Sequence, residues 1–209
     1  MALCKSLVDL SDPAPLRRDW RRGLPELCDG VIVLRELRLA DARSLVEHLA
    51  HPRVCLYITP CPATTDGFKR FIRWTRAERR RGALACWGIV PSGQTCAVGV
   101  IQVWPVERDF SVAEWGFVLG EAFWGSGLFS RAARLVLDEV FFQLGVFRLE
   151  ARAVDTNTSG NRVLRKLGAT REGLLRGSFH NGEEVRDHVM WSILAPDWQA
   201  LRRRERRAH

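Results

Sequence analysis

No apolar run in this sequence approaches the roughly 18 residues that a membrane-spanning helix requires. The longest candidates are 82–90 and 97–101. The first fifteen residues, MALCKSLVDLSDPAP, contain one Lys but neither a long apolar segment nor a small-residue cleavage site, so no secretory signal is recognisable. We therefore expect a protein that contacts no membrane and works in the cytoplasm.

The sequence also lacks any CxxC pair. Its six cysteines would suit a disulfide framework in a small secreted chain, but this chain is long and carries no signal, so we expect free thiols. The nearest approach to a metal-ligand cluster is His48, His51, Cys55 and Cys61, whose spacings match no standard zinc pattern. We expect no metal.

Internal repeats and low-complexity segments are likewise absent, and the composition is that of an ordinary folded domain. The 209 residues are 46% apolar and 27% charged, with a mean hydropathy of −0.12. Punctuation by Pro and Gly marks 1–29 as a loosely attached N-terminal extension. We assign 30–196 to one domain and 197–209 to a basic C-terminal tail.

Positive charge is concentrated in two segments, although the formal net charge of the chain is +8. The segment 66–81 holds seven basic and two acidic residues, and the tail LRRRERRAH holds five Arg and one Glu. The rest is therefore near neutral, which argues against a broad nucleic-acid footprint. We expect the segment 66–81 to form a solvated helix face and the tail to be disordered. If either segment has a function, it is the candidate contact for a protein or the ribosome.

Hydrophobic periodicity predicts a strand and helix order. A strand from Val31 is followed by a helix capped by Asp41, and Thr64 or Thr65 caps a basic amphipathic helix that ends at Gly82. Further on, the pattern predicts three strands at 83–90, 97–104 and 111–119, a helix at 128–144, a half-buried strand at 147–153, a short helix at 159–167, and a hairpin with a type I′ turn at Asn181-Gly182.

A strand runs through the turn Gly125-Ser126-Gly127 directly into the helix at 128–144, which is the geometry of an anion site. A Walker A loop is disfavoured because Ser126 stands where the phosphate-binding Lys belongs. A Rossmann fingerprint is disfavoured because Ser130 replaces its third Gly and because a meander precedes the turn. The third alternative is a cradle for the pyrophosphate of coenzyme A.

Several segments, in the right order, carry a family resemblance over 31–194. They are LRELRLADA at 34–42 with Leu45, AEWGFVL at 113–119, AFWGSGLFSRAA at 122–133 and RLEARAVDTNTSGNRVLRKLGA at 148–169. Together they resemble the GNAT N-acetyltransferases, most closely the RimJ/RimL-like branch of the ribosomal-protein-alanine acetyltransferase type. The resemblance implies a mixed α/β fold, with a central, twisted, mostly antiparallel sheet that is split between its fourth and fifth strands and has helices on both faces.

The resemblance further implies transfer of an acetyl group from acetyl-CoA to a primary amine, by direct attack in a ternary complex. The acceptor is a protein N-terminus or a small amine, and a monomer and a homodimer are both compatible with the sequence. In the implied binding mode the backbone of Phe117, Val118 and Leu119 bonds the pantetheine amides, and Asn157 reaches the cofactor from the other side. The loop that would hold the pyrophosphate consists of Trp124, Gly125, Ser126, Gly127, Leu128, Phe129 and Ser130.

Three positions depart from the family pattern. Trp124 replaces the usual Gln or Arg, Phe129 replaces a Gly or Ala, and Gly160 replaces the Ser of Asn-x-x-Ser, so that no general acid is assigned. The missing Ser keeps a second hypothesis open, namely a catalytically weak acyl-CoA-binding sensor or partner protein of the same fold.

Two carboxylates are candidate catalytic bases, because the attacking amine must be neutral. Glu114 lies on an apolar strand face, which favours a raised pKa, and Glu150 lies in the resembling segment RLEAR. For Glu114 the structural alternative is a cross-strand ion pair, and for Glu150 it is neutralisation by Arg148 and Arg152. His180 and His188, near the hairpin turn, are weaker candidates.

Overall fold

An eight-stranded sheet forms the centre of the protein in the computed structural model, which describes residues 19–207. The strands are β1 (Leu27–Cys28), β2 (Ile32–Glu36), β3 (Ala85–Pro91), β4 (Gly99–Pro105), β5 (Val112–Leu119), β6 (Arg148–Val154), β7 (Thr170–Asn181) and β8 (Glu184–Leu194). Their spatial order is β1-β2-β3-β4-β5-β6-β8-β7, and only the β5–β6 pair is parallel. The expected mostly antiparallel α/β sheet is confirmed.

Helices cover both faces of the sheet, as expected. They are α1 (Asp41–Leu49), α2 (Pro52–Cys55), α3 (Thr65–Arg81), α4 (Leu128–Asp138), α5 (Thr158–Lys166) and α6 (Ala195–Arg207). Alternation along β4 divides the core, because Val100 packs with α1 and α3 whereas Ile101 packs with α4, α5 and α6. Within residues 19–207, no helix is long and apolar enough to cross a membrane.

Local sequence signals place the helix ends well. The Thr64 hydroxyl accepts a hydrogen bond from the amide of Gly67 at 3.0 Å and so caps α3. Gly82 ends α3 in the left-handed region, at φ +77°. The predicted long helix after the glycine turn begins at Leu128, but its last part, Glu139–Gln143, is a π-helical turn that follows α4.

Two local predictions are wrong in detail. Asp41 does not cap α1; it is buried, and both its carboxylate oxygens accept hydrogen bonds from Arg35 at 2.9 Å. Burial alone would raise the pKa of Asp41, but the bonds from Arg35 and from two backbone amides hold it below its usual value. The hairpin is present, but Asn181 pairs with Glu184 and only Gly182 has a positive φ, which fits a type II′ turn.

The expectation of free thiols holds for Cys28, Cys86 and Cys96 but is wrong for Cys55 and Cys61, and the expected disordered tail is wrong as well. Cys55 and Cys61 form a disulfide across the turn that follows α2, because a separation of six residues lets the chain fold back on itself. Residues 197–207 belong to α6, whose buried Trp198 donates its indole N–H to Asp138 at 2.9 Å. The burial of this one aromatic side chain against the core, together with the bonds to Asp138, docks the charged segment as a helix.

The described part of the predicted N-terminal extension is attached to the domain. Trp20, Leu24 and Leu27 pack against the larger core, and β1 pairs with β2. The indole N–H of Trp87 donates to the carbonyl of Pro25 at 3.2 Å. Residues 1–18 of that extension, and residues 208–209 of the tail, lie outside the described residues.

Candidate functional site

β5 and β6 pair along only one end of their length. Their parallel register joins Val112 to Arg148, Ala113 to Leu149 and Glu114 to Glu150. Beyond this point residues 115–119 continue in register with β4, and residues 151–154 continue in register with β8. Each strand thus keeps its antiparallel neighbour while the pairing between the two of them stops at the Glu114–Glu150 pair.

The hydrogen-bond pattern shows which backbone groups face the gap between these strands. The Val112 carbonyl accepts from Val106 at 2.8 Å and the Gly120 amide donates to Val98 at 2.9 Å, so both point to β4. Because direction alternates along a strand, Val118 also points to β4, whereas Phe117 and Leu119 point to the gap. Of the three residues whose backbone was expected to bond pantetheine, Val118 therefore has its backbone groups directed toward β4 and away from the gap.

The glycine turn lies at the open end of β5 and leads into α4. Gly125 and Gly127 have φ values of +74° and +80°, which L-residues with side chains rarely adopt, and both are exposed. The amide of Leu128 donates to the Ser126 hydroxyl at 3.2 Å, and that of Arg131 to the Gly127 carbonyl. No acceptor within the described residues bonds the amides of Gly125, Ser126, Gly127, Phe129 and Ser130. The expected anion-site geometry is present.

Two large side chains of this loop have structural contacts. The indole N–H of Trp124 donates to the Leu119 carbonyl at 2.7 Å, which ties the loop to the end of β5. Phe129 is buried against Phe117, with ring centroids 4.3 Å apart. Leu128 is buried as well, so Leu128 and Phe129 can offer a ligand only their backbone.

Asn157 is the N-cap of α5. Its Oδ1 accepts from the Gly160 amide at 2.9 Å, so this oxygen caps the helix. A Cβ on residue 160 would lie 2.8 Å from Asn157 Nδ2. The absence of the family Ser at 160 is therefore linked to the folded-back position of Asn157.

Glu114 and Glu150 lie side by side where the two strands separate, on the sheet face that carries α1 and α3. The ion-pair alternative for Glu114 is present, because Arg152 Nε is 3.4 Å from Glu114 Oε1. For Glu150 it is present in part: Arg148 Nε donates to Glu150 Oε1 at 2.7 Å, whereas Arg152 pairs with Glu114 instead. Burial raises the pKa of Glu114. The positive charge of Arg152 lowers this pKa in part, and the negative charge of Glu150 raises it further. The side chain of Glu114 is only 13% exposed.

A carboxylate and a serine that the sequence did not single out extend this cluster. Glu172 on β7 forms a bidentate pair with Arg148 and accepts from the Ser192 hydroxyl at 2.6 Å. Ser192 is in register with both Glu150 and Thr170, so β8 places it between β6 and β7. Only strand order, which the sequence pattern does not reveal, brings these residues together.

The two histidine candidates differ in their surroundings. His188 Nδ1 lies 2.8 Å from the Ser178 hydroxyl, and burial together with the charge of Arg152 lowers its pKa. His180 is exposed near the hairpin turn. Among residues 19–207, no group of three or more His, Cys, Asp or Glu side chains is arranged to hold a metal ion.

Comparison with known proteins identifies the class. Residues 32–170 match the family model of an acetyltransferase (GNAT) domain, which is more than half of the chain, so the protein belongs to the GNAT acetyltransferase family. It is 27% identical over 168 residues to the uncharacterized N-acetyltransferase p20 of Bacillus licheniformis, covering 80% of this chain and 94% of that protein.

Two further relatives are informative. The chain is 22% identical over 189 residues to the ribosomal protein uS5-alanine N-acetyltransferase of Escherichia coli (strain K12), covering 86% of this chain and 96% of that one. Mycobacterium smegmatis RimJ in complex with CoA-disulfide shares the fold, with a TM-score of 0.74 at 24% identity over 85% of this chain and 90% of that one. The chain is thus an N-acetyltransferase, and the hypothesis of a non-catalytic sensor is not favoured.

Proposed function

We propose that this enzyme uses acetyl-CoA as the acetyl donor and binds it in the gap between β5 and β6. The observation that carries the proposal is that the amides of Gly125, Ser126, Gly127, Phe129 and Ser130, next to the open edge of β5, have no acceptor among residues 19–207. An extended arm can pair with Phe117 as an added strand would, and the amides suit a diphosphate. The RimJ relative, described in complex with CoA-disulfide, supports the same ligand class.

The donor supplies an activated thioester, and the chain's own residues have to handle a proton and the developing charge. We propose Glu114 as the base, because its pKa is raised by burial whereas Glu150 is held by a short ion pair with Arg148. Glu114 accepts the proton from the amine, the amine nitrogen bonds to the thioester carbon, and the carbon–sulfur bond breaks to release the CoA thiolate. Glu150 does not take the proton in this scheme; its negative charge helps to raise the pKa of Glu114.

For the acceptor we propose a primary amine, either a protein N-terminus or a small amine. The relative that acts on an alanine of ribosomal protein uS5 supports the former. We propose residues 30–196 as the acetyltransferase domain, on which residues 19–29 and 197–207 pack. A ribosome contact is proposed through α3, where Arg70, Arg73 and Arg80 share an exposed face with Trp74, which is 51% exposed.

The test is acetyl transfer by the purified full chain. It is incubated with acetyl-CoA and, separately, with a peptide that begins with alanine, one that begins with serine, a polyamine and an aminoglycoside. Acetylated amines are detected by mass spectrometry, and acetyl-CoA binding is measured by calorimetry. Product from at least one amine is expected. Binding without product from any amine would favour the sensor, and no binding at all would overturn the proposed donor site.

A further inference from the structure

The segment from His51 to Cys61, here called the 51–61 segment, crosses from the end of β5 to the end of β6. It contains the short helix α2 and is closed on itself by the Cys55–Cys61 disulfide. The two strand ends that it joins are the ends at which β5 and β6 have separated. The 51–61 segment therefore lies across the opening in which the proposed function places the reaction.

The contacts on the β5 side are ionic and aromatic. His51 Nδ1 lies 2.9 Å from Glu121 Oε2, and Arg53 forms a close ion pair with the same carboxylate. The Arg53 guanidinium also lies over the Trp124 ring, 5.6 Å from its centroid. Glu121 and Trp124 belong to the turn between β5 and the glycine loop, so this end is attached to the proposed diphosphate site.

The contacts on the β6 side depend on Tyr57. Its hydroxyl donates to the Thr156 carbonyl at 3.3 Å, one residue before Asn157. Arg186 of β8 lies over the Tyr57 ring, 5.9 Å from the centroid, and donates to the Thr156 hydroxyl at 3.3 Å. This end is attached by one exposed hydrogen bond and one ring contact, which makes it the weaker of the two.

The disulfide encloses Tyr57. Cys55 and Cys61 are six residues apart, and the loop between them carries the only described contact from this segment to Thr156. Both cysteines are half-buried, whereas Cys86 is buried. Closing a short loop restricts the positions that Tyr57 can adopt and so favours its contact with β6.

We propose that the Cys55–Cys61 disulfide is a reversible lock that holds the 51–61 segment across the acceptor side of the opening. This inference rests on the proposed function for its catalytic consequence. In the unlocking step two external thiols supply two electrons and two protons; the bond between the two sulfurs breaks, Cys55 and Cys61 become thiols, and the external thiols form a disulfide. Locked, the segment holds Tyr57 against β6. Val54 and Ile58 of this segment pack with α1 and α3, on the sheet face that carries Glu114, so the locked segment borders the side from which an amine reaches the proposed base.

Reduction of the disulfide should affect binding of the amine more than binding of acetyl-CoA. The contacts to Glu121 and Trp124 come from His51 and Arg53, which lie outside the disulfide loop and persist after reduction. Loss of one positioning hydrogen bond corresponds to about a three- to tenfold change. We expect reduction to raise the KM for the amine by that factor while the affinity for acetyl-CoA changes less than twofold.

The experiment compares the full chain oxidised with glutathione disulfide and reduced with a phosphine, each after desalting. Alkylation and peptide mass spectrometry report the state of Cys55 and Cys61. Hydrogen exchange of residues 56–62 reports the lock without any turnover. The KM for an alanine-initiated peptide, or for whichever amine the enzyme acetylates, is measured by mass spectrometry of the product, since thiol reagents would interfere.

Two variants complete the test. Cys55→Ser should behave as the reduced enzyme under both conditions, and Cys28→Ser, which removes an exposed free thiol elsewhere, should retain the full response. Cys55 and Cys61 that stay alkylatable after oxidation, or exchange in residues 56–62 that is the same in both states, would overturn the lock. Slower exchange on oxidation together with no acetylation of any amine would instead count against the proposed function alone.

Discussion

The side-chain amide of Asn157 occupies the space that a Cβ atom on residue 160 would need, at 2.8 Å. Gly160 thus lets Asn157 fold back and cap α5 through its amide oxygen. Replacing Gly160 by Ser displaces that cap, which costs about 1 kcal/mol, while the better helix propensity of Ser returns about 0.5 kcal/mol. We expect net destabilisation, measured by urea unfolding.

A double-mutant cycle separates the clash between the side chains of residues 157 and 160 from the helix propensity of Ser at position 160. With Asn157→Gly, which removes the side chain but keeps an acceptable cap residue, Gly160→Ser should become neutral or slightly stabilising. An identical effect of Gly160→Ser in both backgrounds would show that the two side chains do not compete.

Glu114→Gln and Glu150→Gln should have different effects on catalysis. Loss of a general base lowers turnover by about 100-fold or more, so Glu114→Gln should reduce kcat to that extent with acetyl-CoA affinity unchanged. Glu150→Gln removes a negative charge that raises the pKa of Glu114, so that pKa falls and activity persists to lower pH. The measurement is the pH profile of kcat/KM, and equal profiles for wild type and Glu150→Gln would contradict the assignment.

Gly127→Val should weaken acetyl-CoA binding about tenfold or more, because a branched side chain blocks approach to the loop amides. A matched control is Gly93→Val: both glycines have φ near +80° and open space around an added Cβ, but Gly93 lies in the turn after β3. Both variants should lose about 1–2 kcal/mol of stability from backbone strain. Calorimetry should show a loss of affinity for Gly127→Val alone, and equal affinities would mean that the diphosphate binds elsewhere.

Glu172 should contribute to stability only above acidic pH. Hydrogen bonds from Arg148 first, and then from Ser192, lower its pKa to about 2 from an ordinary value of 4.5. The contribution is therefore complete above about pH 4.5 and is lost as the pH falls toward 2. Since the side chain is 37% exposed, Glu172→Gln should cost at most about 1 kcal/mol at neutral pH.

Melting temperatures of wild type and Glu172→Gln should accordingly differ at pH 7 and converge as the pH falls from 4.5 toward 2. Glu183→Gln, at an exposed position in the hairpin turn, serves as the control. Its melting temperature should equal that of the wild type at every pH. A difference that grows as the pH falls would have the wrong sign for a stabilised carboxylate.

If α3 contacts the ribosome, replacing Arg70, Arg73 and Arg80 by Ala should weaken association and reduce its salt dependence by about one unit of slope per lost phosphate contact. The matched set of three is Arg203, Arg204 and Arg207 on α6, which lies on the opposite face of the sheet. Substitution is preferable to deletion, because Arg202 bonds Asp138 and removing it would disturb the packing of α6. Loss of binding only in the α6 set would overturn the choice of α3.

Local chemistry accounts for what the sequence predicted well. The glycine turn, the Thr64 cap and the alternation in β6 each depend on neighbouring residues, so short windows reveal them. The Arg35–Asp41 pair, the Cys55–Cys61 disulfide and the Glu172–Arg148 pair depend on how separate segments meet. The high charge of the segment 197–209 led to a prediction of disorder. The burial of Trp198, which the sequence pattern did not indicate, instead makes residues 197–207 part of a helix.

The bond from Trp124 to the Leu119 carbonyl has a consequence for how far a cofactor arm extends. One acceptor on the open edge of β5 is taken, so an arm in the proposed binding mode must form its strand-like pairing at Phe117. A shift along a strand that preserves the pairing pattern covers two residues, about 6.8 Å. The indole therefore sets the position along β5 at which the arm pairs, and a small residue at position 124 would let the acetyl group stop short of Glu114 or pass beyond it.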